Sequence, residues 1–117
     1  MKLSVAAVAA AALLASATPA LAAPPPFTCP TQSVCNFQHG DYTGLVETVS
    51  NTSGNRDTWL SIAYNGSRHN TTGSAVAVGN GTSKVYCIAP GAKEAGDGGN
   101  EIYIAYGASD CSGVPAP

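Results

Sequence analysis

Through the second half of the chain, apolar side chains recur at every second position, the spacing of a half-buried strand and not of a helix. Residues 58–64 place Leu60, Ile62 and Tyr64 on one face and Trp59, Ser61 and Ala63 on the other. Residues 101–106 repeat this with Ile102, Ile104 and Tyr106, and residues 74–78 carry Val76 and Val78 on one side. Residues 84–88 are rich in Val, Tyr and Ile, and 42–49 reads as a longer, wetter first strand. A sixth, short strand is expected at 34–37. Turn chemistry separates these runs at 51–55, Asn65-Gly66, 79–81 and 96–100. Asn-Gly accepts positive φ at both central positions of a tight turn, so Asn65-Gly66 and Asn80-Gly81 are hairpin signals. Residues 91–100, with Gly91, Gly96, Gly98 and Gly99, have neither pattern and are the expected mobile loop. With short strands, no helical spacing and no crossover helices, the pattern predicts an all-β fold. The expected form is a small antiparallel β-sandwich or barrel of five to six strands.

The first 22 residues follow another rule. Lys2 precedes an apolar stretch at 3–14, and Ala20-Leu21-Ala22 ends the segment with small residues, the three-part pattern of an export signal. A membrane-spanning helix needs about 20 apolar residues, more than this stretch supplies. The expected organisation is a signal peptide at 1–22, a Pro-rich leader at 23–28, one β domain at 29–111 and a flexible tail at 112–117. Proline lacks an amide donor and so keeps both ends out of a sheet interior. The product expected is a secreted, extracellular protein with no membrane span.

Export removes much of the chain's apolar content, so the apolar share of the remainder falls below the 44 % of the whole. Small extracellular domains with thin cores are commonly cross-linked. All four cysteines, Cys29, Cys35, Cys87 and Cys111, lie after the signal. They allow three pairings, which sequence leaves open. A bridge from the Cys29/Cys35 end to the Cys87/Cys111 end closes a loop of more than 50 residues. Such a loop contributes roughly 4 kcal/mol in the chain-entropy picture. This long-range staple is the expectation, because Cys87 lies within a predicted strand.

Without Lys2, four basic side chains face seven acidic ones and no basic stripe exists. Nucleic-acid binding and anionic membranes both draw on clustered Lys and Arg, so neither is an expected partner. No Cys-x2-Cys or paired-His spacing suggests a metal, no phosphate loop or nucleophile elbow is present, and no cofactor is expected. Asn51, Asn65, Asn70 and Asn80 each begin an N-x-[S/T] triplet and are candidate glycosylation sites. Trp59 and Tyr103 are the candidate binding aromatics, since such rings offer apolar area with a polar tip.

His39, Glu47, Arg56 or Arg68, and His69 occur in an order that resembles the small fungal guanyl-specific ribonucleases. In those enzymes a carboxylate and a histidine act as base and acid while an arginine holds the phosphate. The resemblance implies a candidate catalytic set of His39, Glu47, Arg68 and His69. This chain has Phe37-Gln38-His39 where that family carries Tyr-x-His.

The signal, small size, four cysteines and sequons together resemble the small secreted cysteine-containing proteins of filamentous fungi. In layout they are similar to the β-sandwich effectors of the MAX type. That resemblance implies a monomeric, non-enzymatic binding protein of effector or toxin type, directed at a protein or carbohydrate target outside the producing cell. The alternatives are the ribonuclease-like hydrolase and a structural wall or surface protein.

Overall fold

The computed structural model describes residues 27–63, 66–96 and 98–117. The expected signal and most of the expected Pro-rich leader lie outside the described residues, as do Tyr64 and Asn65. Among the described residues there are eight strands: β1 (Ser33–Phe37), β2 (Leu45–Ser50), β3 (Trp59–Ser61), β4 (Ser67–Asn70), β5 (Ala75–Gly79), β6 (Lys84–Ile88), β7 (Lys93–Glu94) and β8 (Glu101–Ala105). They form two four-stranded antiparallel sheets, sheet A in the order β2-β1-β4-β7 and sheet B in the order β3-β8-β5-β6. The all-β, disulfide-linked expectation is met. Among the described residues no helix is long and apolar enough to cross a membrane.

The period-2 alternation decides which side chains meet between the sheets. Val34 from sheet A packs with Val76, Val78, Ile88, Ile102 and Ile104 from sheet B, and Ile62 closes the cluster. Fully burying a side chain of this kind contributes about 1.5–3 kcal/mol. Sheet B supplies most of this apolar surface. The facing side of sheet A is polar: Asn36, Arg68 and Asn70 are all fully buried.

This polarity is why β4, with sequence SRHN, was not legible as a strand although it lies inside sheet A. Its Arg68 and Asn70 occupy inward positions that the pattern rule reserves for apolar residues. Asn70 Nδ2 donates to the carbonyls of Ser74 (2.8 Å), Ile88 (3.3 Å) and Ala89 (3.2 Å). Its Oδ1 accepts from the Thr72 amide (2.9 Å) and hydroxyl (2.7 Å). Arg68 donates to the Tyr86 hydroxyl and, at 2.9 Å, to the Gly99 carbonyl. The sequence around 67–70 therefore reads as a hairpin ornament while acting as a central, polar-cored strand. The preceding Asn65-Gly66 signal does not join neighbouring strands either, because β3 belongs to sheet B and β4 to sheet A. Asn80-Gly81 does lie in a hairpin, between β5 and β6, where Gly81 takes φ +92°.

The expected long-range staple is corrected. Cys29 bonds Cys35, six residues apart, and Cys87 bonds Cys111, 24 apart. Cys35 alternates with inward Val34 and so points out of sheet A; Cys87 alternates with inward Ile88 and points out of sheet B. Packed sheets stand about 10 Å apart. With the core between them, these two sulfurs cannot be bridged, since bonded cysteines need Cα atoms within about 7 Å.

The expected flexible tail is corrected as well. Val114 is buried, Lys84 Nζ donates to the Val114 carbonyl at 2.8 Å, and the Trp59 indole N–H donates to the Pro115 carbonyl at 3.1 Å. The tail lies over the outer face of sheet B, where the register sets Cys87, Ala77, Tyr103 and Trp59 in one row. Ala75 and Ala77 are small and fully buried because that face has a second cover. At Gly79 a Cβ would stand 2.8 Å from both Pro117 and the Trp59 ring, so glycine is what lets them close onto the strand.

Candidate functional site

The outer face of sheet A is covered in part by the segment that carries Phe27 and Cys29, and it holds a different set of side chains. Phe37 follows Cys35 by two positions and emerges beside the Cys29–Cys35 bridge, forming a small cluster with Tyr42 against it. Phe27 meets Phe37 edge to face with centroids 5.9 Å apart, and Phe37 meets Tyr42 likewise at 6.1 Å. Such pairings add about 0.5–1.5 kcal/mol beyond the area they bury. Together with Leu45, Asp41, Thr43, Gly44 and Lys93 these rings line a cavity of about 400 Å³. This lies within the size range of ligand pockets.

The loop from β1 to β2 builds one wall. The Gln38 amide donates to the Gly44 carbonyl at 2.8 Å and the His39 amide to the Thr43 carbonyl at 3.2 Å. Tyr42 sits at φ +62°, a conformation strained for a bulky side chain. It is held there by its N–H, which donates to Ser67 Oγ at 3.2 Å, while that hydroxyl donates to the His39 carbonyl at 2.5 Å. Strain of about 1–3 kcal/mol persists only where the surroundings over-determine it. Here it turns the Tyr42 ring toward Phe37.

Two opposite charges mark the rim. Lys93 Nζ stands 5.0 Å from the Tyr42 ring centroid, a cation–π contact. Asp41 accepts the Thr43 hydroxyl at 2.5 Å, and this bond holds its carboxyl below the usual range. His69, between Cys35 and Lys93 in the register, is kept below its ordinary pKa by burial and then by the Lys93 charge.

The residues expected to carry function occupy other places. Trp59 and Tyr103 stack edge to face at 5.4 Å under the tail, so they are packing partners on sheet B. Arg68 is fully buried, pointing inward, while its neighbour His69 points outward from the same strand. Glu47 pairs in register with Asn36, which pairs with Arg68, so all three share the inner face. Glu47 Oε1 accepts the Ala63 amide at 2.9 Å. The sheet thus stands between Glu47 and His69, and His39 lies apart in the β1–β2 loop. The four residues do not converge. Arg56 Nε donates to Asn51 Oδ1 at 2.9 Å, and its guanidinium lies 3.9 Å from the Tyr106 centroid.

Of the sequon asparagines, Asn70 is buried with its amide nitrogen committed to carbonyls, and is corrected from sugar acceptor to core residue. Asn51 is partly enclosed and bonds Gln32 through Nδ2 at 3.1 Å. Asn80 is exposed on the β5–β6 hairpin, and Asn65 lies outside the described residues. Sequence reading missed Phe27, Phe37, Tyr42, Leu45 and Lys93 as a set. The one local signal was the outward parity of Cys35 and Phe37 against Val34; the remainder converges only through β1–β2 and β4–β7 pairing. No family model, curated protein or solved structure matches the chain.

Proposed function

We propose that this is a secreted, non-enzymatic binding protein of effector or toxin type, which grips a target protein through the aromatic cavity on sheet A. The observation that carries this reading is the ligand-sized cavity walled by Phe27, Phe37 and Tyr42, with Tyr42 held in a strained backbone conformation at its edge. Export is supported by the signal pattern and by two disulfides. Phe27 is 49 % exposed and Leu45 41 %, so an apolar side chain of a target can reach both. Asp41 and Lys93 would orient it, as charged rims fix register more than they add affinity.

The test uses the labelled, oxidised mature protein on intact host cells, with and without surface proteolysis. Saturable, protease-sensitive binding that is lost in Phe27→Ser and in Lys93→Glu, both at exposed positions, supports the reading. Equal binding by the variants, or cleavage of single-stranded RNA abolished by His69→Ala, overturns it.

A further inference from the structure

A second cavity opens on the other sheet, and its chemistry differs. Ala105, Ala108 and Val114 contribute apolar lining, Tyr103 and Tyr106 two aromatic rings, and Asp57 and Asp110 two carboxylates, around a volume of about 150 Å³. A cavity of about that volume accommodates a molecule the size of benzene. Each carboxylate is positioned by one oxygen. Asp57 Oδ1 accepts the Tyr106 amide at 3.1 Å, and Asp110 Oδ1 accepts the Ser112 amide at 2.9 Å and its hydroxyl at 2.6 Å. The Tyr106 ring already attracts a cation, the Arg56 guanidinium, which is not among the residues lining the cavity. An apolar lining, tyrosine rings and carboxylates complement a bulky cation without N–H donors.

We propose that this cavity binds a quaternary ammonium group, as carried by free choline or by a choline lipid headgroup. The site is independent of the sheet A cavity. Trp59, the only tryptophan of the chain, packs on Tyr103 at 5.4 Å and reports on it by fluorescence.

The mature protein is titrated with choline chloride, with phosphatidylcholine vesicles, with n-butylammonium and with 3,3-dimethyl-1-butanol, choline's uncharged carbon analogue. Expected are saturable changes in Trp59 emission and in the amide resonances of Ala105, Ala108 and Gly113. They should appear with choline or with the vesicles, which separates solute from headgroup. Binding weakens about tenfold in Tyr106→Leu, which removes a ring worth about 1.4 kcal/mol to the cation. It weakens also in Asp57→Asn and Asp110→Asn, which keep the amide-accepting oxygen. The proposal is overturned if the uncharged analogue or n-butylammonium binds as tightly as choline, if neither choline source binds, or if all three variants bind unchanged.

Discussion

Replacing Asn70 by alanine separates the two roles its sequence context offers, sugar acceptor or core polar residue. The side chain is fully buried; its amide nitrogen shares its two N–H groups among three carbonyls and its oxygen accepts two bonds, which uses its full capacity. Each such bond contributes about 0.5–1.5 kcal/mol net, and partners left unpaired in the interior add their own desolvation cost. The expected loss is therefore about 3–5 kcal/mol, a large part of the 5–15 kcal/mol that stabilises a typical domain. In a domain of this size it corresponds to a fall in Tm of at least about 12 °C. Urea titration followed by Trp59 fluorescence measures it, with Asn80→Ala, which loses only the exposed turn bonds from Thr82 and Ser83, as the comparison expected to cost about 0.5–1.5 kcal/mol. Mass spectrometry of the native product should find the peptide containing Asn70 unmodified. A loss below about 1 kcal/mol, or a glycan on Asn70, would refute the assignment.

Removing the Cys87–Cys111 bridge by paired alanines should cost about 3.4 kcal/mol and removing Cys29–Cys35 about 2.2, from loop lengths of 24 and six residues; the reverse order in denaturant midpoints contradicts the pairing. Truncation after Ser112 uncovers Trp59 and loses buried Val114, so its emission should shift to the red and stability fall by about 2 kcal/mol; an unshifted spectrum contradicts the docked tail. His69 is held below 6.5 in the folded protein, so as the pH falls through that value the unfolded chain takes up a proton the folded one refuses. Stability present above about pH 6.5 should decline as the pH falls toward the folded-state pKa, and His69→Asn should remove that component; identical slopes for the two proteins count against it.

The strand parity and the Asn80-Gly81 hairpin were legible because each is local. Val76 and Val78, like Ile102 and Ile104, share one face of their strand by alternation alone, and the structure uses those faces as its core. β4 and the two-residue β7 were hidden because partners, not their own composition, make them strands. A buried arginine bonded to Tyr86 and Gly99 looks, in a linear sequence, like any surface cation. The candidate site was illegible for the same cause: Phe27, Tyr42 and Lys93 come from a leader, a loop and an edge strand.

The amino-acid order alone determined that this chain alternates as strands, breaks at Asn and Gly, and keeps its four cysteines after residue 28. Only the assembled sheets decided which cysteines join, which aromatics are covered and which polar side chains are enclosed. Alternation tells two faces of a strand apart, but which neighbours cover each face is set by pairing between residues far apart in the chain. Cys35 and Cys87 ended on opposite outer surfaces for that reason, with Phe37 packed under Phe27 and Tyr42 and Trp59 beneath the tail.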